Sequence, residues 1–254
     1  MTTGRAADRR AEDYIVFPLD VPTLEAALDL VRRLAGGVGM FKIGLELFVG
    51  HGPAVVDAVR RAGATRIFLD LKLHDIPATV ERAMQRVADL GVDCVTVHCG
   101  ESRAMLEAAV EGGAGKVDVL GVTVLTSVGP AALRDAGYPP ELADDPRQLV
   151  LRRAAMAQAA GCRGVVCSGR EVAALKARLG DDFQAVTPGI RPAAGQVARD
   201  DQQRILTPAV AIANGADYLV VGRPLRDAPD PRQAARNLAL EIGRALGADD
   251  RERP

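Results

Sequence analysis

Eight short apolar runs, alternating with longer amphipathic stretches along 254 residues, point to an α/β chain folded as a single closed (β/α)8 barrel. Three observations carry this reading. The runs are nearly continuous in Val, Ile and Leu, as parallel strands covered on both faces must be. They recur at regular spacing in a chain of ordinary length for such a barrel. Aromatic residues make up only 3% of the chain, so the core is built from Val, Leu, Ile and Ala, which suits layered α/β packing. An open, doubly wound sheet of eight strands is the competing arrangement, and the even spacing favours closure.

In chain order, strands are predicted near 14–20 (YIVFPLD), 39–44 (GMFKIG), 66–72 (RIFLDLK), 93–98 (DCVTVH), 118–126 (DVLGVTVLT), 164–168 (GVVCS), 184–188 (QAVTP) and 217–221 (DYLVV). Helical patterns lie between them at 22–35, 77–90, 101–112, 145–160 and 229–246. Pro22 and Pro77 stand where a helix would begin, because a missing N–H costs little there. The run 213–217 (ANGAD) reads as a helix C-cap followed by a strand. Two stretches, 127–144 and 189–203, exceed ordinary loop length and are expected to be lids or binding loops. No internal linker is apparent, so one catalytic domain is expected over 12–246, with loose ends at 1–11 and 247–254.

Composition excludes several classes. Lys plus Arg number 32 against 33 Asp plus Glu, a net charge of −1, so no basic footprint for nucleic acid exists. No apolar run reaches the roughly 18–20 residues that span a bilayer. The opening MTTGRAADRR lacks an apolar h-region and does not read as a signal peptide. Cys94, Cys99, Cys162 and Cys167 have paired C-x4-C spacings but no matching His. They are expected to be reduced, mostly buried thiols in a cytoplasmic protein.

The 32 cationic residues include four lysines: Lys42, Lys72, Lys116 and Lys176. Lys retained against so strong an Arg bias suggests a need for a compact ammonium that can give up a proton. Lys116 and Lys176 read as surface residues. Lys42 and Lys72 fall at predicted strand ends, where a barrel carries its active site. The strand ends, in order, offer Asp20, Lys42, Asp70 with Lys72, His98, Thr126, Ser168, Pro188 and Gly222-Arg223. Asp20 has a second reading as a cap for a helix at Pro22, and Asp75 as a cap at Pro77. On a regular strand Asp70 and Lys72 share one face while Leu69 and Leu71 face the helices. With Lys42 and Asp75 they predict an alternating, charge-balanced Lys–Asp–Lys–Asp array. The runs TPGIR (187–191) and VVGRP (220–224) place Arg191, Gly222 and Arg223 after strands 7 and 8, where barrels often bind phosphate.

FKIG (41–44), DLKLHDIPAT (70–79), VTVH (95–98), LTS (125–127), TPGIRP (187–192), DQQRILTP (201–208), VVGRP (220–224) and the opening LDVP (19–22) together resemble the orotidine 5′-phosphate decarboxylase family. The resemblance runs in order over nearly the whole chain, and the block around Lys72 is its most specific part. It implies a TIM-barrel homodimer that converts orotidine 5′-monophosphate to UMP and CO2 without cofactor or metal, the last step of de novo pyrimidine synthesis. Carried over by motif, Lys72 is the proton donor and Asp70 lies near the departing carboxylate. Lys42 and Asp20 contact the ribose, Thr126 the pyrimidine, and Arg191, Gln202, Gly222 and Arg223 the phosphate. Asp75 and Thr79 reach into the neighbouring subunit's site. Gln202 is chosen over Gln203 and Gln196 because it follows an acidic residue, as the motif requires. After VTVH the family shows a small-residue stretch, whereas this chain has Cys99-Gly100-Glu101-Ser102.

The implied chemistry suits these residues. Loss of CO2 from C6 leaves an in-plane carbanion that the ring cannot delocalise, so fixed charges must stabilise it. Flanking carboxylates favour the charged form of Lys72, and phosphate binding energy is expected to close the 189–203 loop. Two rival readings remain. Mg2+-dependent keto-sugar-phosphate decarboxylases and aldolases resemble strand 3 but place an acidic ligand near the position of Lys42. A catalytically silent nucleotide-binding barrel would keep Arg191 and Arg223 without needing both lysines.

Overall fold

The computed structural model describes residues 9–192 and 205–247. Its strands form a closed parallel barrel in sequential order. They are β1 (Ile15–Pro18), β2 (Met40–Gly44), β3 (Ile67–Leu73), β4 (Cys94–His98), β5 (Asp118–Val122), β6 (Gly164–Val166), β7 (Gln184–Thr187) and β8 (Tyr218–Val220). The circle closes where Ile15 and Val16 pair with Leu219 and Val220. Twelve helices wrap the described barrel: α1 (Leu24–Leu34), α2 (Leu45–His51), α3 (Ala54–Arg61), α4 (Pro77–Asp89), α5 (Arg103–Gly113), α6 (Pro130–Asp135), α7 (Pro140–Ala143), α8 (Pro146–Ala159), α9 (Val172–Leu179), α10 (Pro208–Ala213), α11 (Arg223–Arg226) and α12 (Pro231–Ala245).

Strand alternation divides the core in two. Val16, Met40, Phe68, Cys94, Leu120, Val186 and Tyr218 form a small cluster that fills the barrel. Their strand neighbours, such as Ile15, Phe17, Ile67, Leu69, Val95 and Val97, join the larger layer between strands and helices. Leu69 and Leu71 belong to this outer layer, as expected. At the N-terminal end Arg66 donates to the Tyr218 hydroxyl at 3.1 Å and pairs with Asp93 at 3.4 Å, closing the floor. Helix α5 lies so close to α4 that a Cβ at Gly112 would come within 2.4 Å of the Glu81 carbonyl oxygen.

Several expectations change in detail. The apolar run 118–126 continues past β5, which ends at Val122; Thr126 lies in the turn beyond. The 127–144 stretch is not structureless. It holds α6 and α7, anchored by buried Leu133 and Ala143 and by Arg153, which donates to the Tyr138 hydroxyl at 2.6 Å. Helix α1 starts two residues after Pro22, with Thr23 as its cap, accepting from the Ala26 N–H at 3.2 Å. Arg9, assigned to a loose end, stacks on Tyr14 and Tyr218 and donates to the Asp217 carbonyl.

Lys176 is not a surface residue. Its ammonium is buried against Asp217 at 2.7 Å and donates to the Asp181 and Phe183 carbonyls. The four cysteines are free and buried, and burial pushes the Cys99 and Cys162 thiols up to about 12, leaving them inert near neutral pH. No helix among the described residues is long and apolar enough to cross a membrane.

Candidate active site

A cavity of about 580 Å³ opens at the C-terminal mouth of the barrel. Asp20, Lys42, Asp70, Lys72, Thr126, Arg191, Gly222 and Arg223 all line it, which unites eight residues predicted from separate motifs. Asp75 and Thr79 do not line it: Asp75 is exposed beyond β3 and accepts from the Ile76 N–H at 2.7 Å, while Thr79 lies in the first turn of α4. Helix α4 begins with Pro77 in its first turn as expected, but its cap position is Ile76 and no side chain caps it. Gln202 lies outside the described residues.

The charged groups form one continuous array. Lys42 Nζ sits 3.1 Å from Asp20 Oδ1 and 3.2 Å from Asp70 Oδ2, and Lys72 Nζ donates to Asp70 Oδ1 at 2.9 Å. Side-chain exposure falls from 56% at Asp20 to 10% at Lys42 and 12% at Asp70, then rises to 28% at Lys72. The Lys72 ammonium is therefore held by a buried carboxylate yet remains accessible from the cavity. Within this chain the alternation runs Asp20–Lys42–Asp70–Lys72, two charges of each sign.

Electrostatics keep the buried members ionised. Burial alone would push the Asp70 carboxyl up, but the ammonium groups of Lys42 and Lys72, with hydrogen bonds from Lys72 and Thr96, hold it below its ordinary range. Burial alone would lower Lys42, but Asp70 and Asp20 outweigh it and raise it. Asp20, read alternatively as a helix cap, serves this array instead. Gly44 gives it room, since a Cβ there would lie 3.0 Å from Asp20 Oδ1 and 3.3 Å from Lys42 Nζ.

Sequence reasoning passes over Thr96, fully buried in the middle of β4, whose hydroxyl donates to Asp70 Oδ1 at 2.9 Å. The signal was a lone hydroxyl between Val95 and Val97, at a position that alternation turns into the barrel. It also passes over Ser127, Cys167 and Arg226, which share the cavity wall. Arg226 donates to the Asp20 carbonyl at 3.1 Å. Pro188 lines the cavity as its strand-end position suggests, whereas Ser168 and His98 do not. The His98 ring lies 5.5 Å from that of His74. Arg191, Gly222 and Arg223 follow β7 and β8 and add cationic groups to the wall of the same cavity. Among the described residues, no three His, Cys, Asp or Glu side chains converge as a metal site.

Buried acid–base groups at strand ends and further cationic groups on the wall of one cavity define a barrel enzyme acting on a small anionic substrate. Comparison with known proteins narrows the class. Residues 13–238 match the family described as orotidine 5′-phosphate decarboxylase / HUMPS, and the chain belongs to that family. It is 54% identical over 248 residues to the orotidine 5′-phosphate decarboxylase of Desulfosudis oleivorans, covering 97% of this chain and 100% of that one. Identity to the orotidine 5′-phosphate decarboxylase of Anaeromyxobacter sp. strain K is 49% over 233 residues, covering 92% of this chain and all of the relative. Among solved structures, orotidine 5′-phosphate decarboxylase from Lactobacillus acidophilus superposes with a TM-score of 0.78 at 34% identity, over 90% of this chain and 98% of the other.

Proposed function

We propose that this protein decarboxylates orotidine 5′-monophosphate to UMP and CO2, in the pyrimidine pathway, with no cofactor and with Lys72 as the acid. The single observation that carries the mechanism is the Lys72 ammonium, 2.9 Å from a carboxylate that Lys42 also holds, at the wall of the shared cavity. The bond from C6 to the carboxylate carbon breaks and its electron pair stays on C6. The fixed positive charge of Lys72 stabilises that pair, and its Nζ then donates a proton to C6. Lys72 regains a proton from water, so one proton is consumed for each CO2 released.

Asp70 has no acid–base part in this step. Both of its oxygens accept hydrogen bonds from cations or from Thr96, and it stays ionised. It holds Lys72 in place and lies near the departing carboxylate. Arg191, Gly222, Arg223 and Gln202 take the phosphate; Gln202 lies outside the described residues. Thr126 contacts the pyrimidine, and Asp20 and Lys42 the ribose.

The family also includes metal-dependent sugar-phosphate enzymes. Here the position where those enzymes carry an acidic ligand holds the Lys42 ammonium, bridged between Asp20 and Asp70. That charge stands where a cation would have to bind, which favours the decarboxylase reading.

The working unit is a homodimer in which Asp75 and Thr79 enter the neighbouring site and Asp75 completes the array beside Lys72. Support comes from Asp75 itself, which does not line the cavity of its own chain, and from its neighbour Ile76, an apolar side chain left 66% exposed. Reduced, buried thiols fit a cytoplasmic setting.

The test is an ultraviolet assay of orotidylate loss by purified protein in EDTA, run beside keto-sugar phosphates. Turnover of orotidylate alone supports this reading; turnover of a keto-sugar phosphate that returns only with Mg2+ overturns it.

A further inference from the structure

We propose that Thr96 is a positioning residue for the reaction: its hydroxyl fixes both the carboxylate and the backbone that aim Lys72 at the substrate. The inference rests on the role assigned to Lys72 above and goes beyond it to a residue of β4.

The parallel ladder between β3 and β4 is irregular. Phe68 pairs with Cys94 and Leu69 with Val95, but the next pair is Leu73 with Val97. Three residues of β3, Asp70 to Lys72, therefore stand opposite Thr96 alone. The extra length is a bulge, and bulges re-aim side chains at active sites. Within it Lys72 takes a left-handed backbone (φ 50°), a conformation that residues with a Cβ disfavour. Its N–H finds the Thr96 hydroxyl oxygen at 2.9 Å.

The same oxygen donates its proton to Asp70 Oδ1 at 2.9 Å, the atom that also receives the Lys72 ammonium. A threonine hydroxyl has one proton to give and lone pairs to accept, so both bonds form at once. Thr96 is 0% exposed, so water does not replace either bond. One buried side chain thus ties together the two ends of the Lys72 residue, its main-chain N–H and the carboxylate that seats its ammonium.

Three substitutions separate the hydroxyl from its surroundings. Thr96→Val keeps the volume and deletes both bonds; Thr96→Ser keeps both bonds and deletes the methyl; Thr96→Ala deletes hydroxyl and methyl together. For Thr96→Val we expect kcat to fall about 100-fold, the scale of a misplaced catalytic group. The KM for orotidylate and the Kd for UMP should stay close to wild type, because phosphate and base contacts are untouched. Thr96→Ser should retain most of kcat. The Asp70 carboxyl, followed by 13C NMR, should titrate higher in Thr96→Val and at its wild-type position in Thr96→Ser.

Equal kcat in wild type and Thr96→Val, or equal loss in the Val and Ser variants, overturns the proposal. If Thr96→Val does not fold, the Ser and Ala variants differ only by the hydroxyl, and equal kcat in those two overturns it as well. Wild-type protein that leaves orotidylate intact would refute the decarboxylase reading instead, while the Asp70 titration still reports whether Thr96 holds the array.

Discussion

Lys72 reaches Asp70 Oδ1 at 2.9 Å from a left-handed backbone. A regular strand would also have put the two on one face, but the observed contact depends on a bulge. The ion pair and the strained residue are parts of one construction, and its consequences can be measured.

The array should make stability depend on pH in a defined direction. Asp70 has its carboxyl held below the ordinary range, so its contribution is complete above about pH 4 and is lost as pH falls through the lowered value. Lys42 is raised, so its contribution is complete below about pH 10 and is lost as pH rises through the raised value. Removing one partner of a buried pair strands the other, and Lys42→Ala should cost about 3 kcal/mol at pH 7. Urea unfolding from pH 3 to 8 checks this: the Asp70→Asn variant should show a shallower acid limb than the wild type. An identical acid limb in the two would remove Asp70 from the account.

Arg223 stands on the wall of the cavity. Losing a charge-assisted, two-pronged hold on phosphate should lower kcat/KM in Arg223→Ala by about 3 kcal/mol, or more than 100-fold. Steady-state kinetics on orotidylate decide it, with an unchanged kcat/KM removing Arg223 from the phosphate site.

The close contact of α4 with α5 predicts a purely structural effect. A Cβ at Gly112 would meet the Glu81 carbonyl oxygen at 2.4 Å, so Gly112→Ala must push two helices apart. Overpacking of this kind costs about 1–3 kcal/mol. Calorimetry should show a lower Tm with little change in the KM of the folded enzyme; a wild-type Tm would contradict the packing described.

If Asp75 serves the neighbouring site, two inactive variants should rescue each other. Lys72→Ala mixed with Asp75→Asn gives hybrid dimers with one intact site, and random exchange restores up to about a quarter of wild-type activity. Mixtures as inactive as their components, or a fully active monomer, would return Asp75 to its own chain.

The barrel was legible because eight apolar runs repeat with the period of buried parallel strands. Its short helices were not. Helix α2 follows β2 without a break, and α6, α7 and α11 have too few residues to show a 3.6-residue period. Residues at the mouth were readable one by one, since charged groups ending apolar strands stand out against an Arg-rich background. Their connections were hidden by register. Nothing in D-L-K announces a bulge, and without the bulge Thr96 is one hydroxyl in a valine-rich strand. Lys176 reads as a surface lysine in the sequence, but its ammonium meets the nearby 181 and 183 carbonyls and Asp217, and Asp217 comes from a segment that only the fold brings to it.

Everything turns on the ammonium of residue 72. Pre-steady-state and steady-state turnover of orotidylate by Lys72→Ala, with UMP affinity and the unfolding midpoint measured on the same sample, test it most directly. The kcat of Lys72→Ala should fall at least about 10⁴-fold with UMP still bound and the fold intact. A kcat near wild type in that variant would contradict it.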